Sequence, residues 1–142
     1  MAKFDIRSGL LPKYAFDVQA ISTDTTTTGA IIDTKDYDRG IVFTLLCSAY
    51  TDGTYTPLLE EGDDSGLSDA TAVPDANLIG TEAGAALSAV DAEGSTLNSL
   101  GAFGTKRYLR LSIVSTSTST GATVGAVFHG ATEVQPASGL SA

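Results

Sequence analysis

Tryptophan is absent from this chain of 142 residues, cysteine and histidine occur once each, and no lysine or arginine lies between Arg39 and Lys106. Each scarcity closes a class of explanation. The single Cys47 cannot form an intrachain disulfide, and without an Asn-X-Ser/Thr sequon the chain does not read as a cell-surface glycoprotein. A lone His129 leaves no second imidazole for a two-His metal site, and any Ser-His-Asp triad would have to be built around it. The longest apolar run, Ile41 to Cys47, is broken by Thr44 and is far short of the ~18 residues of a membrane helix. The opening residues lack the unbroken apolar stretch of a secretory signal, so none is expected.

What is present points to strands. Thr (19) and Ser (14) make up almost a quarter of the residues, and 15 Gly accompany them, while helix formers other than Ala are sparse. Thr suits half-exposed pleated surface, and Gly and Ser suit tight turns. At this length one domain can bury roughly 68% of its unfolded surface. Three segments follow from the pattern: an arm at 1–13, a sandwich domain at 14–130 and a Ser/Gly/Ala-rich tail at 131–142.

Alternation of apolar and polar residues marks the strands. Phe16, Val18 and Ala20 alternate with Asp17, Gln19 and Ile21 in a strand from Tyr14 to Ser22, and the Thr-rich stretch from Thr23 to Gly29 reads as a turn before a short strand at Ala30 to Asp33. Ile41 to Ser48 is the strongest signal, with Phe43 and Leu45 on one face and Val42 and Leu46 on the other, the mark of a central strand. Asp52-Gly53 has the composition of a two-residue hairpin turn into Thr54 to Glu61. Gly62 to Gly66 turns the chain again, and Leu67 to Val73 runs back. Ala83, Ala86, Leu87 and Val90 fit a helical stripe, yet Gly80, Gly84 and Gly94 oppose a long helix, so 76–100 reads as a short helix or a covering loop with one strand. Lys106 to Ser115 and Ala122 to His129 close the set. The expected fold is an all-β, antiparallel β-sandwich of jelly-roll type with an extended N-terminal arm. Its core should hold Phe43, Leu45, Leu109, Leu111, Ile113, Val124 and Phe128.

Charge is divided unevenly. The 66 residues between Arg39 and Lys106 carry ten carboxylates and no base. Such a segment repels polyanions, so nucleic acid and anionic membrane are not expected partners. Its densest part places Glu60, Glu61, Asp63, Asp64 and Asp69 within ten residues. Calcium takes six to eight oxygens from loops of this kind, and these five would be the ligands of any bound cation. The spacing of an EF-hand is missing, and a hairpin tip leaves acids in water, so no metal or other cofactor is expected. The arm has the opposite sign, Lys3, Arg7 and Lys13 against Asp5, with Phe4, Ile6, Leu10 and Leu11 as apolar anchors. Those seven basic and apolar residues are the candidate interface with a neighbouring subunit.

Catalytic constellations do not emerge. His129 falls at a strand end, and Cys47 falls on an apolar face without a basic neighbour to activate it. The glycines at 101, 104, 121 and 125 are not followed by the Gly-Lys-Ser/Thr of a phosphate loop. The reading is not an enzyme.

Four strings in order carry a resemblance: Thr51-Asp-Gly-Thr-Tyr-Thr-Pro-Leu-Leu-Glu-Glu-Gly-Asp-Asp-Ser-Gly, Leu78-Ile-Gly-Thr-Glu-Ala, Lys106-Arg-Tyr-Leu-Arg-Leu-Ser and Gly121-Ala-Thr-Val-Gly-Ala-Val. Over roughly residues 40 to 130 the chain resembles the head decoration ("cement") proteins of tailed phages and related small virion proteins. The resemblance implies a β-rich structural protein on the capsid exterior, made in the host cytoplasm. It implies that the major capsid protein and further copies of the chain, as a homodimer or homotrimer, are its partners. Two other readings stand beside it: a tail or head–tail joining component, and a carbohydrate- or receptor-binding β-sandwich.

Overall fold

The computed structural model describes residues 9–37, 40–89 and 97–132. Among them lie nine strands: β1 (Leu10–Ile21), β2 (Thr26–Asp33), β3 (Gly40–Ser48), β4 (Thr54–Gly62), β5 (Thr71–Ala72), β6 (Leu78–Ile79), β7 (Asn98–Ala102), β8 (Tyr108–Thr116) and β9 (Ala122–Ala131). They form an antiparallel sheet in the order β1-β9-β3-β7-β6 and a second in the order β2-β8-β4-β5. The expected all-β sandwich is the fold.

The topology follows from one long ribbon. β4 pairs with β5, β3 with β7, β2 with β8 and β1 with β9, all antiparallel. Rolled on itself, the ribbon is stitched by the β3·β9 and β4·β8 ladders. That is a jelly roll, and the β4–β5 hairpin is the ribbon's tip. Rolling sends most consecutive strands to opposite sheets. Asp52-Gly53 therefore is not a hairpin turn: the segment between β3 and β4 crosses from one sheet to the other, with Ala49 and Gly53 at positive φ.

Between the sheets the seven expected core residues are all fully buried, joined by Phe16, Tyr55, Leu59, Leu87 and Leu100. Phe128 packs edge-on against Phe43 and Tyr37, with ring centroids 5.3 and 5.1 Å apart. Burying a large aromatic or aliphatic side chain contributes about 1.5–3 kcal/mol, so this cluster is the main stabilising element.

Three sequence expectations need revision. The Thr run is strand: Thr26, Thr27 and Thr28 pair with Val114, Ile113 and Ser112. β-Branched side chains favour that pleated, half-covered setting over a turn. Gly29 then passes so close to β1 that a side chain there would meet the Ala15 carbonyl oxygen, which closes one flank of the sandwich. In β1 the simple alternation fails, because register shifts on either side of Phe16 reverse the parity. Phe16 and Ile21 point inward, while Val18 is 57% exposed. Finally, the boundary of the arm moves. Leu10, Leu11, Pro12 and Lys13 belong to β1, opposite Ala131, Gly130, His129 and Phe128, and β9 runs on to Ala131. An apolar-basic stretch without its own period can still be a strand when a ladder partner supplies the order. Lys3, Phe4, Ile6 and Arg7 and the tail from 133 lie outside the described residues.

Of the two forms allowed for 76–100, the covering loop with a strand is present, and the described part holds no α-helix. One turn of 3-10 helix at Asp75–Asn77 leads into β6. The chain then bridges back to β4, where Tyr55 and Leu87 exchange backbone hydrogen bonds of 2.9 Å. Leu59 donates its N–H to Glu82 Oε1 at 2.9 Å, so this loop closes the other flank.

Candidate functional site

The acidic hairpin tip was the densest chemical signal, and its carboxylates are engaged within the protein. Asp69 accepts from the N–H groups of Asp63 and Asp64 at 2.8 and 3.1 Å, and Asp64 accepts from those of Gly66 and Ser68 at 3.0 and 3.1 Å. These bonds stabilise the ionised form. Backbone N–H donation, first from Ser68 to Asp64 and first from Asp63 to Asp69, holds both acids below the ordinary carboxylate range. Glu61, buried, accepts the Lys106 N–H at 2.9 Å. Glu60 accepts from Arg110 Nε at 3.0 Å and from Ser112 Oγ at 2.8 Å. Burial opposes ionisation of Glu60, but the bonds from Arg110 and Ser112 and the Arg110 charge outweigh it. The cluster therefore divides into loop caps and strand-face pairs. Among the described residues no group of three or more His, Cys, Asp or Glu is placed to hold a metal ion.

A second carboxylate does more than its sequence position suggested. Asp52 accepts from the hydroxyl of Ser119 and from the N–H groups of Ser119, Thr120 and Gly121, the last at 2.8 Å. The Ser119 hydroxyl, followed by these N–H groups, lowers its pKa to about 2. Asp52 thus ties the β3–β4 crossing to the β8–β9 crossing. Tyr55 reinforces the same end, its hydroxyl donating to the Ile21 and Asp52 carbonyls at 3.3 and 2.9 Å. At the opposite end Asp33 binds Arg107 with both oxygens, at 2.9 and 2.8 Å. That pairing, together with the Lys35 N–H, lowers Asp33 to about 2.

The sheet exteriors divide sharply. The four-stranded sheet carries Asp33, Glu60 and Arg110 on its outer face among threonines and the apolar Ile31, Leu58 and Val114. In the five-stranded sheet, β3, β6, β7 and β9 contain no Asp, Glu, Lys or Arg at any position. Because Phe43 and Leu45 point inward, Val42, Thr44 and Leu46 face outward. On β9 the outward positions are Thr123, Gly125, Val127 and His129. Neighbouring side chains fill the space over its glycines: Val18 and Leu46 lean over Gly125, and Ile79 over Gly101. Tyr14 (71% exposed), Val18 and Ile79 (61%) stand at its two edges. A hollow of ≈ 310 Å³ opens between Pro12, Lys13, Tyr14 and Val127. Charges of this sheet, Lys13 and Asp17, sit on edge strand β1.

No family model, curated protein or solved structure matches this chain.

The candidate site is thus a surface. His129 belongs to it, half-buried opposite Val42 rather than at a free strand end, and Cys47 is half-buried on the same strand as Thr44. Of the expected interface residues, Leu10 and Leu11 are 37% and 42% exposed at the start of β1, and Lys13 lies over the Tyr37 ring at 5.2 Å. Sequence reasoning missed the uncharged sheet face. Its signal was present in three segments without charge, 40–48, 98–102 and 122–131, but only the pairing of β3 with both β7 and β9 makes them one surface.

Proposed function

We propose that this chain is a structural protein of a phage virion, a decoration protein that binds the outer capsid shell and strengthens it. The observation that carries the reading is the broad uncharged exterior of the five-stranded sheet on a protein of net charge −9. A soluble domain leaves such a patch when another protein surface covers it. The resemblance of residues 40 to 130 to phage decoration proteins supplies the setting, a capsid shell, and two surfaces to cover the face: the major capsid protein or a further copy of the chain. The jelly roll is a fold that shell proteins use among others, and it supports the reading by analogy alone.

The test is the number of copies per particle. Purified virions should hold this chain in numbers comparable to the major capsid protein, as a repeating shell requires. A copy number fitting a single ring would transfer it to the tail or head–tail joint, and absence from particles would overturn the proposal.

One observation favours a carbohydrate-binding alternative. Phe103, 53% exposed, lines a hollow of ≈ 260 Å³ with Tyr37, Thr34 and Thr105. An aromatic beside hydroxyls is what a sugar ring stacks on. Glycan binding by the isolated protein that is lost in Phe103→Ala would promote that reading.

A further inference from the structure

We infer that the exterior of the five-stranded sheet is the face on which two copies of this chain pair, sheet against sheet about a twofold axis. The inference rests on the reading above that this face is an assembly surface, and it names the occupant as a second copy.

Charge is the first argument. In a twofold contact the same patch meets itself, so any net charge on the patch meets its like. A chain of net charge −9 therefore approaches its own copy best through a face without carboxylates. Strands β3, β6, β7 and β9 make such a face. A basic partner would instead be drawn to the carboxylates of the hairpin tip and the other sheet. The arrangement selects for self-contact.

Area is the second. Strands of 12, 10, 9, 5 and 2 residues build this sheet. At a rise of ~3.3 Å and a spacing of ~4.8 Å they cover roughly 600 Å² per copy. Two copies would bury on the order of 1,200 Å², the lower bound of specific interfaces and above what crystal packing contacts bury. The expected product is a dimer that dissociates on dilution.

Relief is the third. Face-to-face sheets stand about 10 Å apart and interlock their side chains. Tyr14, Val18 and Ile79 are exposed projections, and the ≈ 310 Å³ hollow beside Tyr14 and Val127 offers room for a projecting side chain of the other copy. Lys13 and Asp17 fall at the β1 rim, where charged groups of an interface stay in water.

Sedimentation of the full chain across a concentration series tests this. The wild type should pass from monomer to dimer as concentration rises. The double variant Tyr14→Asp, Val18→Asp places carboxylates at two exposed positions, so it should fold and lose the dimer. A fold-neutral control on the other sheet, Thr28→Asp, should dimerise as the wild type does. A wild type that stays monomeric up to its solubility limit overturns the inference, and so does a folded double variant that still dimerises. Both proteins are also added to particles lacking the chain. Should a monomeric wild type bind shells while the double variant does not, the assembly surface stands and the pairing falls. Should the dimer form as expected but leave shells bare, the pairing stands and the capsid reading falls.

Discussion

On the outer face of the four-stranded sheet Glu60 is held by Arg110 and Ser112, whereas the outward positions at the centre of the five-stranded sheet are Thr44, Leu46, Gly125 and Val127. The inward faces do not differ in kind: Leu59, Leu109 and Leu111 from one sheet meet Phe43, Val124 and Phe128 from the other. Sandwich stability demands only the inward alternation, so outward residues are free to record what each face meets. One face is finished for water, with each strand-face charge matched by a neighbour. The other carries charge only on its edge strand β1.

The largest way to break the comparison is through the shared core. Phe43→Ala and Phe128→Ala should each cost about 3–5 kcal/mol in urea unfolding, since both sheets close over these rings. Costs under about 1 kcal/mol would mean that the sheets do not share one core. Next comes Glu60→Ala, which leaves the buried Ser112 and the partly buried Arg110 without their acceptor and should cost about 1–3 kcal/mol. A neutral result would remove the claim that this exterior is internally matched.

Acid sharpens the contrast further. Asp52 and Asp33 are lowered from 3.8 to about 2 by bonds made only in the folded chain. As pH falls through 3.8 toward 2 the unfolded chain takes up protons first, so the stability these two groups contribute is complete above that window and lost within it. The melting temperature should drop across it, and Asp52→Asn should flatten part of the drop. A variant as acid-sensitive as the wild type would show that the loop tie does not depend on charge. Smallest are the exposed groups: Lys106→Ala, which removes a 3.8 Å contact to Asp63, should change stability by no more than ~1 kcal/mol. Tyr14→Asp should be equally mild for folding while weakening self-association, which separates a surface made for contact from one made for water.

The inward half of the fold was legible in the residues. Leu109, Leu111 and Ile113 alternate with outward residues on β8, Phe43 and Leu45 share one face of the most apolar run, and a one-residue slip would turn them all outward. What failed was information carried by distant partners. Val18 reads as core until the register shifts of β1 turn it outward, and Leu10 to Lys13 read as an arm until β9 pairs with them. Asp52-Gly53 has hairpin chemistry, but the residues that use the Asp52 carboxylate are 67 to 69 positions away. The uncharged face was hidden for the same reason. Each strand shows its lack of charge alone, and only the sheet order joins them.

The rolled ribbon also sets a timetable for the growing chain. β9 is the strand that joins β1 to β3, and β8 joins β2 to β4, so neither sheet can close until the last quarter of the sequence has left the ribosome. Until then β3, with its run Ile-Val-Phe-Thr-Leu-Leu-Cys, waits without β9, and until Asn98–Ala102 is made it lacks β7 as well. Long-range pairing of this kind is slow, and an unpaired apolar strand is prone to aggregate. The carboxylates that follow β3, from Asp52 through Asp75, are charges of the kind that oppose such aggregation by mutual repulsion. Neutralising Glu60, Glu61, Asp63 and Asp64 should therefore lower the yield of refolding more than it lowers the stability of the finished sandwich.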